Sequence, residues 1–133
     1  MSIQRLSWDE SFRFTGEDSW GNEIQIDAEE GSGRGAKPAD LLPIALAACT
    51  AYDIVNILRK QRQDLQGLDA EIESIQQAEA PWTFTRVKVS YVARGRVELR
   101  KAQKALALSE SKYCSISATL RPVVEMEFSI TVV

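Results

Sequence analysis

The stretch from Leu41 to Arg62, LLPIALAACTAYDIVNILRKQR, holds no glycine, is rich in Ala, Leu and Ile, and turns polar only in its last third. Such a composition over this length predicts one long helix. Asp40 stands before it as a candidate N-cap. Pro43 then falls in the third helical position, where a missing backbone N–H costs little. Between Leu41 and Ala51 no face carries a charge, and a helix apolar all round has to be covered on every side. In a chain of this size the simplest cover is a second copy of the same helix across a two-fold axis, so a homodimer is expected.

Before the helix, Leu6, Trp8, Phe12 and Phe14 share one parity, which reads as a strand with one buried face. The turn-forming run Gly16 to Asn22 separates it from a second strand through Ile24 and Ile26. Gly31-Ser32-Gly33-Arg34-Gly35 is a flexible connector and lacks the Gly-Lys-Ser/Thr ending of a phosphate-binding loop. Beyond the helix, extended segments are expected around Leu68 to Ile75 and through Val87, Val89 and Tyr91, with Ala80-Pro81 between them. A second helix follows from about Val97, with Leu99, Ala102, Ala105 and Leu106 as its apolar stripe and Arg100, Lys101 and Lys104 as a solvated basic face. Cys114 to Leu120 reads as a further turn or two of helix stopped by Pro122. Val124, Met126, Phe128, Ile130 and Val132 then alternate with polar residues as the last strand. The order β-β-α-β-β-α-β predicts an α+β fold with an antiparallel or mixed sheet and helices on one side.

The 133 residues, 44% apolar, are expected to form a single domain over residues 1–133. A net charge of -3 argues against a nucleic-acid partner. No uninterrupted apolar run reaches the roughly 18 residues of a membrane span, and the N-terminus lacks the apolar core of a signal peptide. No membrane partner is therefore expected, and a cytoplasmic location is. With no histidine, Ser-His and Cys-His nucleophile pairs and most zinc sites are absent. Two sulfurs alone do not fill a zinc site, so neither metal nor cofactor is expected.

Chemistry is thereby narrowed to the two thiols, Cys49 and Cys114. Cys114, at the start of a short helix, is near unpaired N–H groups and the positive end of the helix dipole, which favour a thiolate. Cys49 sits mid-helix without that help, and Asp53, one turn on, opposes its ionisation. A reactive Cys49 needs a cation, for which Arg34 in the preceding loop is the candidate. Read on composition alone, both thiols are as well suited to filling core.

Gly35 to Asp53, GAKPADLLPIALAACTAYD, resembles the first-cysteine helix of the OsmC/Ohr family, and Tyr113 to Leu120, YCSISATL, its second-cysteine segment. The resemblance implies an intertwined dimer of α+β subunits with a long central helix and active sites at the interface. It also implies a thiol peroxidase in which Cys49 attacks an organic hydroperoxide and Cys114 resolves the product as a disulfide. A dithiol, in some members a lipoylated protein, then reduces that disulfide. In typical members a Glu directly after the helix-opening Pro orients an Arg on the thiolate; here that place holds Ala39, with Asp40 next, and the turn Gly16 to Ser19 offers no base. Asp40 and Arg34 are thus the candidates for those roles in a divergent branch. The alternative is a non-catalytic dimer that holds a small apolar ligand in its interface cleft.

Overall fold

The long helix is present as α1, Leu41–Lys60, in a computed structural model that describes residues 1–133. It begins differently from the expectation. Pro38–Asp40 already forms a turn of 3-10 helix with Lys37 as its N-cap, and the Asp40 N–H donates to the Lys37 carbonyl at 3.1 Å. Asp40 is therefore not the N-cap. Pro38 takes the first helical position, where a residue without an N–H is best placed. By length and composition, Pro38–Lys60 is apolar enough to cross a membrane, which a count of uninterrupted apolar residues misses because Asp40 and Asp53 break the run. Leu46, Ile54 and Leu58 are fully buried in the protein's own core, as in a core helix.

The chain forms two units, Met1–Leu42 and Pro43–Val133. In the first, β1 (Arg5–Glu10), β2 (Arg13–Glu17) and β3 (Glu23–Asp27) form an antiparallel sheet in that order. The single strand expected from Leu6 to Phe14 is thus a hairpin. It folds back at Ser11 and Phe12, with Ser11 in the left-handed region at φ 49°, and Trp8 pairs with Phe14. The two-residue turn pairs Glu10 with Arg13, of opposite parity, but a bulge between Trp8 and Glu10 shifts the register by one, so the alternation runs on unbroken. The expected buried face is not there either. Every residue of β1 is exposed, including Leu6 at 64% and Trp8 at 70%, because three short strands without a helix over them have nothing within this unit to bury against.

The second unit has a three-stranded sheet in the order β4-β5-β6, from Asp64–Gln76, Phe84–Arg96 and Glu125–Val132. β4 and β5 form a long antiparallel hairpin whose turn includes a cis Ala80-Pro81 bond. Near its base Gly95 adopts φ 123°, and a side chain there would meet the Asp64 carbonyl oxygen. β6 runs parallel to β5, which demands a crossover, and the crossover is helical. It consists of α2 (Leu99–Leu108), a π-helical turn (Ser109–Tyr113) and α3 (Ser115–Leu120). The sheet is therefore mixed. Val87, Val89, Tyr91 and Ala93 of β5 alternate into the core, where they meet Leu46, Ile54 and Leu58 of α1 and Ala102, Ala105 and Leu106 of α2. Leu99 departs from its expected place in that stripe: it is exposed, and α2 enters the core only from Ala102 on.

Because Ile54 is wholly enclosed by this core, Ile54→Ala should lower the unfolding free energy by about 2–5 kcal/mol. Urea denaturation followed by circular dichroism measures it.

Candidate active site

The fold brings the two thiols together. Cys49 is half-buried in the middle of α1, and Cys114, only 2% exposed, caps the N-terminus of α3. The Cys114 thiol is close enough to Cys49 to disfavour its ionisation. A helix start leaves its first N–H groups without internal partners, and here the Cys114 sulfur takes one of them. The Ser117 N–H donates to Cys114 Sγ at 3.3 Å, and the Ile116 N–H is near enough to Cys49 to favour its thiolate.

Two fully buried serines frame Cys114. The carbonyl of Ser109 accepts the Cys114 N–H at 2.9 Å, while its hydroxyl donates to Asp53 Oδ2 at 2.6 Å. The hydroxyl of Ser117 donates to the Glu110 carbonyl at 3.3 Å and accepts from Arg121 Nη2 at 3.0 Å. Arg121 also donates to the Glu110 carbonyl. The π-helical turn and α3 are thus tied to each other on both sides of the sulfur.

Beneath the thiols lies Tyr91 of β5. Its hydroxyl donates to the Ala47 carbonyl at 2.7 Å, joining the central strand to the turn of α1 that precedes Cys49. Burial pushes the Tyr91 phenol well above its ordinary pKa, and the sulfurs of Cys114 and Cys49 push it the same way. The Thr50 hydroxyl is near enough to ease that ionisation slightly. Its geometry falls short of a hydrogen bond, which leaves Thr50 Oγ1 buried without a partner.

The electrostatics oppose a free thiolate. Burial raises the Cys49 pKa most, the neighbouring Cys114 thiol raises it further, and the Asp53 charge adds to that; only the Ile116 N–H works the other way. Asp53 also lines a cavity of about 550 Å³ with Asn56, Ile57, Lys60, Gln61 and Tyr113.

Of the other two candidates, Arg34 belongs to the N-terminal unit, where it lies 3.8 Å from Asp27 and 3.9 Å from Glu29. Asp27 is held below the ordinary carboxylate range by the Ser32 hydroxyl, the Glu29 N–H and then Arg34. Asp40 sits in the 3-10 turn already described. Sequence reasoning did not single out Ser109, Ser117 or Thr50, and it took Tyr91 only as a strand residue. The available signal was chemical: a tyrosine on the inward parity of a central strand needs a partner for its hydroxyl, and serines beside a helix-capping cysteine have backbone groups to serve.

The sequence family whose model describes an OsmC-like protein matches residues 31–129, and the chain belongs to that family. Protein YhfA of Escherichia coli (strain K12) is 34% identical over 131 residues, covering 97% of this chain and 96% of its own. The crystal structure of a hypothetical protein from Aquifex aeolicus VF5 matches with a TM-score of 0.89 at 27% identity, over 100% of this chain and 96% of that one. An organic hydroperoxide resistance protein from Elizabethkingia anophelis, crystallised with thiocyanate, matches with a TM-score of 0.70 over 98% of this chain and 96% of that one. At 14% identity, this last is a likeness of fold.

The raised thiol and phenol have a common pH signature. A group whose folded pKa is above its unfolded value contributes stability that is present below the unfolded pKa and lost as pH rises through the folded one. Alkylation of Cys49 by iodoacetamide, followed by peptide mass, should therefore still be accelerating above the ordinary thiol range. Over the same alkaline interval the reduced protein should lose thermal stability.

Proposed function

We propose that the protein is a thiol-dependent peroxidase that reduces organic hydroperoxides through Cys49 and Cys114. The observation that supports this most is the proximity of a half-buried thiol to a buried one, the buried Cys114 sulfur also receiving a backbone N–H. In this reading the Cys49 thiolate attacks the outer oxygen of ROOH, the O–O bond breaks, and the alkoxide leaves as ROH after taking a proton. Cys49 is then a sulfenic acid. The Cys114 sulfur displaces its hydroxyl as water, giving a Cys49–Cys114 disulfide, and a dithiol such as a lipoyl group restores both thiols by exchange. Neither histidine nor metal is needed for these steps.

The resting thiol is neutral, so the reading calls for a cation at the attack step. Arg34 is the one proposed, with Asp40 as its orienting carboxylate. The half-buried Cys49 also calls for a cover. Ile44, Ala48 and Tyr52 recur every fourth residue on the exposed side of α1, and a second copy of the chain is proposed to pack there, forming a homodimer. Resting thiols of this kind persist in a reducing compartment, which fits a cytoplasmic location.

The raised Cys49 pKa favours one alternative: a dimer whose sulfurs are slow and whose cleft holds a small apolar ligand. One equivalent of an alkyl hydroperoxide added to the reduced protein distinguishes the two. Loss of both thiols within seconds, a mass two protons lower and recovery with dihydrolipoamide are expected, with Arg34→Ala slowing the first step at least tenfold. Thiols intact after minutes would sink the peroxidase reading in favour of the ligand-binding one.

A further inference from the structure

Asp53 accepts a hydrogen bond from a serine whose backbone holds the second cysteine. Ser109 is fully buried, donates its hydroxyl to Asp53 at 2.6 Å and accepts the Cys114 N–H at 2.9 Å. Asp53 follows Cys49 by four positions on α1, so the two side chains share one face of the helix. One helix face thus presents the first sulfur directly and grips the second through a single intervening residue.

We infer that Asp53 and Ser109 are positioning residues that hold Cys114 within bonding reach of Cys49. The inference deepens the peroxidase reading, because it concerns how that site closes its disulfide.

The local backbone supports this. Ser109 opens a π-helical turn in which the Cys114 N–H reaches five residues back to the Ser109 carbonyl. Such a turn inserts a residue into the helical repeat and is uncommon unless something outside the helix holds it. The Asp53 carboxylate is that outside group, since it bonds the residue on which the turn is hung. A carboxylate acceptor forms a stronger bond than a neutral one, and the Ser109 donor is fully shielded from water. The arrangement also has an electrostatic cost, because the charge that anchors Ser109 raises the pKa of Cys49. Positioning the resolving sulfur and suppressing the attacking one are therefore two effects of the same carboxylate.

The two effects separate by substitution. Asp53→Asn removes the charge but keeps an oxygen that accepts the Ser109 hydroxyl. Asp53→Ala removes both, and Ser109→Ala removes the bond while keeping the charge. The groups facing Cys49 are Cys114, Asp53 and Tyr91, and Lys60 and Tyr113 share the cavity with Asp53. Of these, only Asp53 is changed in the variants whose pH profiles are compared.

The test uses an aromatic disulfide such as 5,5′-dithiobis(2-nitrobenzoate) on the reduced full-length protein. Cys49, the more accessible thiol, attacks one sulfur and releases one aryl thiolate. Cys114 then gives up its proton, attacks the Cys49 sulfur and releases the second, leaving the Cys49–Cys114 disulfide. Two phases of colour report the two steps, and Cys114→Ser, which shows only the first, fixes their assignment.

Asp53→Ala and Ser109→Ala should slow the second phase at least tenfold, while Asp53→Asn stays within about threefold of the parent. The alkaline limb of the first phase should move to lower pH in both Asp53 variants and stay put in Ser109→Ala, a pattern that loss of packing does not produce. If Ser109→Ala fails to fold, the comparison of Asp53→Asn with Asp53→Ala still decides. A second phase unchanged in Asp53→Ala, or equally slow in Asp53→Asn, overturns the inference. Closure here needs no peroxide, so a parent protein that closes rapidly with the aryl disulfide but ignores an alkyl hydroperoxide removes the peroxidase reading and leaves the positioning role standing.

Discussion

The buried hydrogen bond from the Tyr91 hydroxyl to the Ala47 carbonyl joins the central strand of the mixed sheet to the helix that carries Cys49. A phenol taken out of water without a partner costs several kcal/mol on apolar-transfer scales. The position of α1 on β5 is therefore specified by a directional contact as well as by the apolar residues around it. Leu46, Ile54 and Leu58 supply bulk to that contact, and Val87, Val89 and Ala93 receive it. Bulk alone tolerates small slides along the helix axis; a single donor facing a single carbonyl tolerates fewer.

With α1 fixed, the crossover between β5 and β6 completes the site. A parallel pair needs a long connection, and this one is long enough to include α2, a π-helical turn and α3 before the chain re-enters the sheet at Glu125. The second sulfur lies where the turn ends and α3 begins, at a helix start with spare N–H groups. The sulfur pair thus follows from sheet topology plus one helix start. Its polar frame, made of the buried Ser109 and Ser117 and the partly buried Asp53, sits at the edge of a largely apolar core.

Much of this was legible in the chain. The absence of glycine from Leu41 to Arg62, the alternation from Val124 to Val132 and the polar break before Cys114 each reflect one dominant local preference, and the structure follows them to within a residue or two. The misreadings arise where two preferences give the same pattern. Leu6 to Phe14 keeps its parity because the bulge between Trp8 and Glu10 offsets the two-residue turn, so a hairpin and a strand look alike. Asp40 has the chemistry of an N-cap, but Pro38 nucleates helix earlier with its fixed φ. Leu99 has the right spacing for the core, yet spacing does not say how far the sheet extends beneath the first turn of α2. Ser109 was harder to read, because its role depends on the Asp53 side chain, 56 residues away in sequence, whereas Ser117 meets Arg121 one helical turn on.

Cys49 and Cys114 also stand far apart along the chain, with the whole β4–β5 hairpin and α2 between them. Linking the sulfurs would close that entire span into one covalent ring. A ring of this size removes unfolded-state freedom worth about 4 kcal/mol by chain-entropy reckoning. The oxidised chain would thus be harder to unfold than the reduced one, and its resistance to heat or proteolysis would rise and fall with the electron supply around it.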